Sequence, residues 1–346
     1  MFMIQQHEIP FGKRFIGPRH PVVVIAEIGI NHEGNVDTCA RMIEAAVASG
    51  ADAVKLQTID ADENYVRGTE SHRIFSDSAL SREDTYRMFE LGRNLDVEVF
   101  TTCGDFATLD WVDQLNPSAH KISSGLFTNL PFIRRAAETG RTLLMSTGAA
   151  AADEIAESVK TVRDAGVVGV GLFQCTSLYP APKESVNLAN IPWLSRQFDL
   201  PTGFSDHTVG WEAAMLSVGA GACMIEKHFT LDQQRDGYDH HLSLEPQEFA
   251  ALVEKVRQAE TILGIAGKNL KEDEGAKALE LHRVLVARKR IVAGEIFSRE
   301  NLGLKRPLPG KLGLSPRDYE RVLGQHASRD LEFDDPITEE AVEDLN

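Results

Sequence analysis

Two lysines interrupt apolar stretches of the 346-residue sequence, Lys55 in AVKLQ and Lys121 in AHKIS. A buried ammonium group without a partner is costly, so each lysine requires an anion nearby. Two kinds of anion fit: a structural carboxylate, Glu27 or Glu226, or the phosphate or carboxylate of a ligand. Ser and Thr hydroxyls follow the neighbouring apolar stretches and would complete an anion site, which favours the ligand.

Two histidines follow successive apolar stretches, His207 in FSDHTVG and His228 in IEKHFTL. Side by side, they would give a divalent metal two nitrogen ligands and leave positions open for substrate oxygen. Imidazole combined with oxygen ligands favours Mn²⁺ or Fe²⁺ over Mg²⁺. The alternative is that each histidine belongs to the packed core. Two histidines at matched positions favour a metal site, and Mn²⁺ is the expected ion.

These residues share one position, because each stands at the carboxyl end of a β-rich apolar stretch. Such stretches alternate with amphipathic helical segments, and several are apolar on both faces, as parallel strands covered by helices are. The order predicts a closed (β/α)₈ TIM barrel with its site at those strand ends, and a doubly wound open sheet is the alternative. The eight predicted strands span residues 21–30, 52–58, 97–103, 119–124, 142–147, 170–176, 200–207 and 222–229.

The alternating pattern ends near Gly264, which divides the chain into three predicted parts. Residues 1–264 form a TIM-barrel catalytic domain, and the charged stretch 265–282 is a linker. Residues 283–346 contain short strands, many turns and one short helix, and form a small β-rich domain. A domain of that size is marginally stable alone, so we expect it to dock on something.

Composition excludes several classes of partner. With 52 Asp and Glu against 36 Lys and Arg, the net charge is −16, which argues against nucleic acids and anionic membranes. No stretch approaches the roughly 18 apolar residues of a membrane span. The amino-terminal segment lacks the apolar core of a signal peptide. We therefore expect a cytoplasmic protein.

Seven motifs follow one another along the chain: AEIGINHEG (26–34), GADAVKLQT (50–58), HKISSG (120–125), STG (146–148), QCTSLYPAP (174–182), FSDHTVG (204–210) and IEKHFTLD (225–232). Together they resemble the sialic acid synthase (N-acetylneuraminate synthase) family. The tail, from LVARKRIVAGEIFSRENLGLKRPLPG to ITEEAVEDL, resembles the antifreeze-like (SAF) domain of that family, a β-clip module. The resemblance covers almost the whole chain.

The resemblance implies an enzyme that condenses phosphoenolpyruvate with an N-acylated amino sugar, usually N-acetylmannosamine. The products are a nine-carbon keto sugar acid and phosphate. It also implies that His207 and His228 bind the metal and that Glu27 is the acid/base or positioning carboxylate. By the same motifs, the residues that hold phosphoenolpyruvate are Lys55, Lys121, Ser124, Ser146 and Ser205, joined by Thr102 and Ser177.

On the sugar side, the resemblance implies contacts from Gln57, Tyr179, Asp239 and Arg306. Arg306 would reach from the tail into the site of the partner subunit, in a domain-swapped homodimer. The motifs that carry these sugar contacts depart from those of the family, because residues 237–240 are GYDH where the family commonly has GPDH. The same chemistry on a di-N-acylated deoxy sugar, as in a legionaminate or pseudaminate synthase, is therefore an alternative. A non-catalytic carbohydrate-binding relative is the other.

Overall fold

The computed structural model describes residues 8–269, 271–343 and 345 of the chain. It divides into two compact units, Met1–Gly264 and Ile265–Asn346. Gly264 follows the last helix of the first unit with a φ of 57°. Glycine adopts such a left-handed backbone without the clash that a Cβ would cause, so it ends the helix there.

A short antiparallel hairpin opens the first unit, formed by β1 (Ile9–Phe11) and β2 (Arg14–Ile16). Its side chains Ile9, Phe11 and Ile16 are fully buried in one cluster with residues of the barrel interior. The rings of Phe11 and Phe100 meet edge to face, with their centroids 5.5 Å apart. The hairpin therefore closes the amino-terminal end of the barrel. The pattern of apolar stretches does not predict these two strands.

Within the described residues, eight parallel strands form a closed barrel in chain order. The last strand pairs with the first, with His228 opposite Glu27, so the barrel prediction is confirmed and the open sheet is wrong. The strands are β3 (Val23–Gly29), β4 (Ala53–Thr58), β5 (Glu98–Cys103), β6 (Ala119–Ile122), β7 (Thr142–Ser146), β8 (Val170–Cys175), β9 (Thr202–Asp206) and β10 (Met224–His228).

Amphipathic helices cover the outside of the barrel and bury their apolar faces against the strands. Asn35 and Ser81 cap two of them, because each side chain accepts a hydrogen bond from the backbone three residues on. The helices are α1 (Val36–Ala48), α2 (Ala61–Asn64), α3 (Glu70–Ser78), α4 (Arg82–Asn94), α5 (Phe106–Asp113), α6 (Leu130–Glu138), α7 (Ala152–Asp164), α8 (Asn190–Phe198), α9 (Glu212–Gly219) and α10 (Pro246–Leu263).

The second unit has its own apolar core, which includes Leu285, Ile291 and Phe297. Its elements are α11 (Glu272–Leu281), the antiparallel strands β11 (Val284–Ala287) and β12 (Leu302–Lys305), and α12 (Tyr319–Val322). The predicted linker, 265–282, is thus helical over most of its length. Its Glu, Ala, Lys and Leu residues are strong helix formers, which explains the difference. Among the described helices, none is both long and apolar enough to cross a membrane.

Candidate active site

Ionisable side chains converge inside the barrel at the carboxyl ends of its strands. Side chains alternate between the two faces of a strand, so residues two apart point the same way. Lys55 and Gln57 on β4 therefore share the inner face, as do Glu226 and His228 on β10. Below them the barrel is filled by apolar residues, including Phe100, Leu144, Phe173 and Met224. The site is a polar layer on an apolar floor.

Two lysines and two glutamates alternate across this layer. The Nζ of Lys55 lies 2.9 Å from Glu27 Oε1 and 3.6 Å from Glu226 Oε1. The Nζ of Lys121 lies 3.1 Å from the same Glu226 oxygen. All four side chains are buried. Both carboxylates that the sequence offers as structural partners are thus in place, and their charges balance those of the lysines.

The two carboxylates nevertheless differ in acidity. Burial raises the pKa of Glu27 to about 7, and the positive charge of Lys55 only partly offsets this. Burial also acts on Glu226, but the charges of Lys121 and Lys55 outweigh it and lower the pKa of that carboxyl. At neutral pH, Glu226 is therefore ionised, whereas Glu27 can take up or release a proton.

The lysine–glutamate layer also contains carboxylate oxygens that accept no hydrogen bond from the described residues. Ser146 Oγ accepts a hydrogen bond from Lys121 at 2.8 Å, and Ser205 donates one to Glu226 Oε1 at 3.1 Å. The second carboxylate oxygens, Glu27 Oε2 and Glu226 Oε2, are buried with no hydrogen-bond partner among the described residues. Buried acceptors of this kind are uncommon in native proteins. They are available to O–H groups of a bound molecule.

A second feature, which we name the serine cradle, consists of Ser124, Gly148 and Ser177. A Cβ placed on Gly148 would lie 2.4 Å from Ser177 Oγ and 2.5 Å from Ser124 Oγ. Only glycine therefore lets both hydroxyls approach this point. Thr102, the remaining hydroxyl predicted here, accepts a 3.4 Å hydrogen bond from Lys55. Hydroxyls and lysines together suit a phosphate or carboxylate group.

The rings of His207 and His228 meet edge to face, with their centroids 5.3 Å apart and their planes at 62°. His207 Nδ1 lies 2.8 Å from the carbonyl oxygen of Thr176. A carbonyl can only accept, so Nδ1 carries a proton, and in the neutral ring Nε2 keeps a free lone pair. Burial lowers the pKa of His228 well below its ordinary value, which keeps that ring neutral. A neutral imidazole is the form that binds metals.

These two rings fit a metal ion. His228 Nδ1 is buried with no hydrogen-bond partner in the described part of the chain. The same part contains no group of three or more His, Cys, Asp and Glu residues placed to hold a metal. The histidine pair would therefore supply two nitrogens, and oxygens from water or substrate would complete the coordination.

Three of the four predicted sugar contacts border the histidines and Glu27. The ring of Tyr179 stacks on that of His207 with centroids 4.1 Å apart. Gln57 Nε2 donates a hydrogen bond of 2.8 Å to Glu27 Oε1. Asp239 Oδ2 lies 3.5 Å from His228 Nδ1. The fourth, Arg306, follows β12 in the second unit and is exposed there.

Gln57 also lines a cavity of about 310 Å³ beneath the segment 60–80, which the sequence leaves without an assigned role. In this cavity the guanidinium of Arg82 lies 5.3 Å from the centre of the Trp111 ring. Asp60, Thr58 and several apolar side chains complete the lining. The cavity offers hydrogen-bonding and apolar surfaces next to Gln57, one of the residues predicted to face the sugar.

Comparison with known proteins assigns the chain to a family. The family model described as "NeuB family" matches residues 42–268. The chain belongs to the NeuB family. A model described as "SAF domain" matches residues 282–343, the second unit. The predicted family and the barrel with its SAF tail are thereby confirmed, and relatives named as synthases confirm the predicted type of enzyme.

Similar NeuB proteins extend over nearly the whole chain. The N,N'-diacetyllegionaminic acid synthase of Legionella pneumophila is 35% identical, covering 89% of this chain and 91% of that protein. The human N-acetylneuraminate-9-phosphate synthase is 34% identical, covering 95% of each. The structure of N-acetylneuraminic acid synthetase from Leptospira borgpetersenii is 30% identical, with a TM-score of 0.75, over 78% of this chain and 94% of that one.

Proposed function

We propose that this protein condenses phosphoenolpyruvate with the open-chain form of an N-acylated amino sugar. The products are a sialic-acid-type keto sugar acid and phosphate. One observation carries the proposal: the lysine–glutamate layer lies beside a pair of histidines at the mouth of the barrel. The layer suits an anion, and the histidines suit a metal that binds a sugar oxygen. The relatives named as N,N'-diacetyllegionaminic acid synthase and N-acetylneuraminate-9-phosphate synthase support the same type of reaction.

Phosphoenolpyruvate would bind between the lysines and the serine cradle. Lys55 and Lys121 face Glu226 in the free protein, so an entering anion competes with this carboxylate for the two ammonium groups. Ser124 and Ser177 offer their hydroxyls on either side of Gly148, and Ser146 and Ser205 offer theirs inside the barrel. Charge-assisted hydrogen bonds of this kind are shorter and stronger than neutral ones.

His207 and His228 would hold a divalent ion, for which we propose Mn²⁺. When bound, such an ion acts as a Lewis acid and polarises the sugar aldehyde. The chain itself fixes the two rings, because the Thr176 carbonyl orients His207 and Tyr179 packs against both histidines. Turnover that survives both EDTA and His207→Ala unchanged would contradict this assignment.

The bonds change in a defined order. C3 of phosphoenolpyruvate attacks the aldehyde carbon, and water adds to C2 as positive charge develops there. The C–O bond to phosphate then breaks and phosphate leaves. Glu27, whose pKa burial raises to about 7, can give the aldehyde oxygen its proton and, as a carboxylate, take up the proton that the adding water loses. Gln57 holds Glu27 Oε1 in place. The lysines hold phosphate and carboxylate in line throughout.

For the acceptor, we propose N-acetylmannosamine, contacted by Gln57, Tyr179 and Asp239. A di-N-acylated deoxy sugar is the second candidate, and the cavity beside Gln57 favours it, because its volume and mixed lining suit one more acylamino group. The relative named as an N,N'-diacetyllegionaminic acid synthase supports the same alternative.

The test is phosphate release from phosphoenolpyruvate, measured with Mn²⁺ and a panel of acceptors ranked by kcat/KM. N-acetylmannosamine, its 6-phosphate and 2,4-di-N-acetylated 6-deoxyhexoses form the panel. The highest kcat/KM for N-acetylmannosamine supports the first choice, and the highest for a di-acetylated sugar replaces it with the second. Glu27→Gln protein is the control for background hydrolysis. If no acceptor raises phosphate release from phosphoenolpyruvate above the rate of this control, the proposed function is wrong.

A further inference from the structure

We propose that a buried ion pair between Asp206 and Lys227 is a positioning device that holds His207 and His228 at the spacing a metal ion requires. Both side chains are completely buried, and Lys227 Nζ lies 3.1 Å from Asp206 Oδ2. Among the described residues, no hydrogen bond or salt bridge joins this pair to the lysine–glutamate layer on the other side of the barrel wall. The inference rests on the metal site proposed above.

The pair and the histidines occupy consecutive positions on two neighbouring strands. Asp206 stands opposite Lys227 in the parallel ladder between β9 and β10. His207 follows the first of these residues, and His228 follows the second. Because successive side chains point to opposite faces, the ion pair lies on the outer face and the histidines on the inner face. One cross-strand contact therefore sets the separation of the next residue on each strand.

Lys227 forms hydrogen bonds to the residues on both sides of His207. Its ammonium group donates to the backbone carbonyl of Thr208 as well as to Asp206. Asp206 Oδ1 in turn accepts a hydrogen bond of 2.8 Å from the Thr208 N–H. Both peptide neighbours of His207 are thus tied to one side chain of β10, which limits rotation of the backbone that carries this histidine.

The position of the pair along the strands supports this role. β9 ends at Asp206, and the described ladder between β9 and β10 ends with the Asp206–Lys227 step. His207 therefore lies just beyond the last register pair and depends on other contacts for its placement. A buried ion pair contributes little net stability, because apolar residues of similar volume often replace one without loss. Positioning explains its presence better than stability does.

Two variants separate positioning from stability. Lys227→Met alone leaves Asp206 buried without its partner and should lower both the melting temperature and Mn²⁺ affinity. The double variant Asp206→Leu/Lys227→Met removes both charges and should recover the melting temperature. It should still bind Mn²⁺ about 10- to 100-fold more weakly than wild type, the range for lost outer-shell contacts. Affinity is measured on the metal-free protein by electron paramagnetic resonance of free Mn²⁺.

A matched control breaks a different ion pair of the barrel. Asp52 precedes β4 at the amino-terminal end and pairs with Arg257 at 2.5 Å. Asp52→Asn should lower the melting temperature and leave the Mn²⁺ dissociation constant unchanged. If the double variant does not fold, Lys227→Arg tests the positioning role instead. This substitution keeps the positive charge but moves the hydrogen-bond donors, so it should weaken Mn²⁺ binding several-fold.

The outcomes are distinct. If the double variant folds and binds Mn²⁺ as tightly as wild type, the positioning role is wrong and the ion pair is purely structural. If only Lys227→Arg folds, wild-type Mn²⁺ affinity in that variant leads to the same conclusion. A wild-type protein that binds no Mn²⁺ overturns the metal site itself and the positioning role with it. Weak Mn²⁺ binding together with a recovered melting temperature supports the proposal.

Discussion

Two serine hydroxyls flank the point that a side chain would occupy at Gly148, and this makes a single methyl group a test of the serine cradle. Gly148→Ala places a Cβ 2.4–2.5 Å from the hydroxyls of Ser177 and Ser124, so at least one must move. The KM for phosphoenolpyruvate should rise roughly 10- to 100-fold, the effect of one or two lost charge-assisted hydrogen bonds. Steady-state kinetics at saturating acceptor measures this rise.

Gly125 provides the matched control. It follows Ser124 directly, and a Cβ there would meet no atom within 4 Å among the described residues. Gly125→Ala should therefore leave the KM for phosphoenolpyruvate within about twofold of wild type. Equal effects of the two substitutions would show that the cradle has no special part in anion binding.

Glu27 should make stability depend on pH. Its pKa is about 7 in the folded protein and 4.5 in its ordinary state. Between these values the folded protein keeps a proton that the unfolded chain releases, so the free energy of unfolding falls as pH rises through this window. Glu27→Gln should lose less stability than wild type between about pH 5 and pH 7. Urea unfolding at both pH values tests this, and parallel profiles would contradict the raised pKa.

At the scale of elements, the amino-terminal hairpin is the part of the barrel whose contribution is most easily isolated. Phe11 is fully buried against Phe100 at the end of the barrel opposite the site. Phe11→Ala should lower the free energy of unfolding by about 3–5 kcal/mol, while kcat measured well below the melting temperature stays unchanged. Urea unfolding and phosphate release on the same samples provide the two measurements.

Phe15 in the same hairpin is half exposed. Phe15→Ala should therefore change the free energy of unfolding by less than about 0.5 kcal/mol. A loss of kcat with Phe11→Ala at a temperature where the protein is fully folded would show that the hairpin acts on the site as well as on the fold.

The barrel strands were predictable because apolar stretches that alternate with helical segments leave a strong pattern. The hairpin was not, since two strands of three residues carry too few apolar positions to stand out. A signal does exist in IPFGKRFI, where apolar residues flank a glycine turn. The helix 272–281 was missed because its charges suggested a solvated linker, although its residue types favour a helix.

At the site, the sequence indicates which residues meet at the barrel mouth, because strand ends converge there. It does not indicate how the charges pair, since that depends on distances between strands that are far apart in the chain. Lys121 pairs with Glu226 from across the barrel, and the hydroxyls of Ser124 and Ser177 both lie beside Gly148. Lys227 carried a usable signal, because it interrupts the apolar strand in IEKHF as Lys55 and Lys121 interrupt theirs.

At the scale of the whole molecule, we propose a domain-swapped homodimer in which Arg306 of one subunit completes the site of its partner. Neither Arg306→Ala nor Glu27→Ala protein should be active alone. A mixture of the two should recover part of the wild-type activity after subunit exchange, because hybrid dimers contain one site with both residues intact. Phosphate release from the mixture, measured against the separate variants, tests the prediction.

Two variants of the same barrel supply the control for complementation. Glu27 and Lys121 both belong to the first unit, so a mixture of Glu27→Ala and Lys121→Ala proteins should stay inactive. If labelled subunits exchange and the Arg306→Ala mixture also stays inactive, the shared site is wrong. Removal of residues 265–346 should abolish turnover for the same reason, with the folded state of the barrel checked by circular dichroism.

The hairpin at the foot of the barrel has a consequence for the order of events in turnover. Because β1 and β2 close that end, molecules can enter and leave only through the mouth. The side chains proposed to bind the anion lie deep, with Lys121 3% exposed, whereas Tyr179, proposed to contact the sugar, is 51% exposed. A sugar already seated would block the way to the lysines, so we expect phosphoenolpyruvate to bind first and the sugar second. Inorganic phosphate should then depart last and inhibit competitively against phosphoenolpyruvate. A site with a single entrance thus imposes an ordered sequential mechanism on the enzyme.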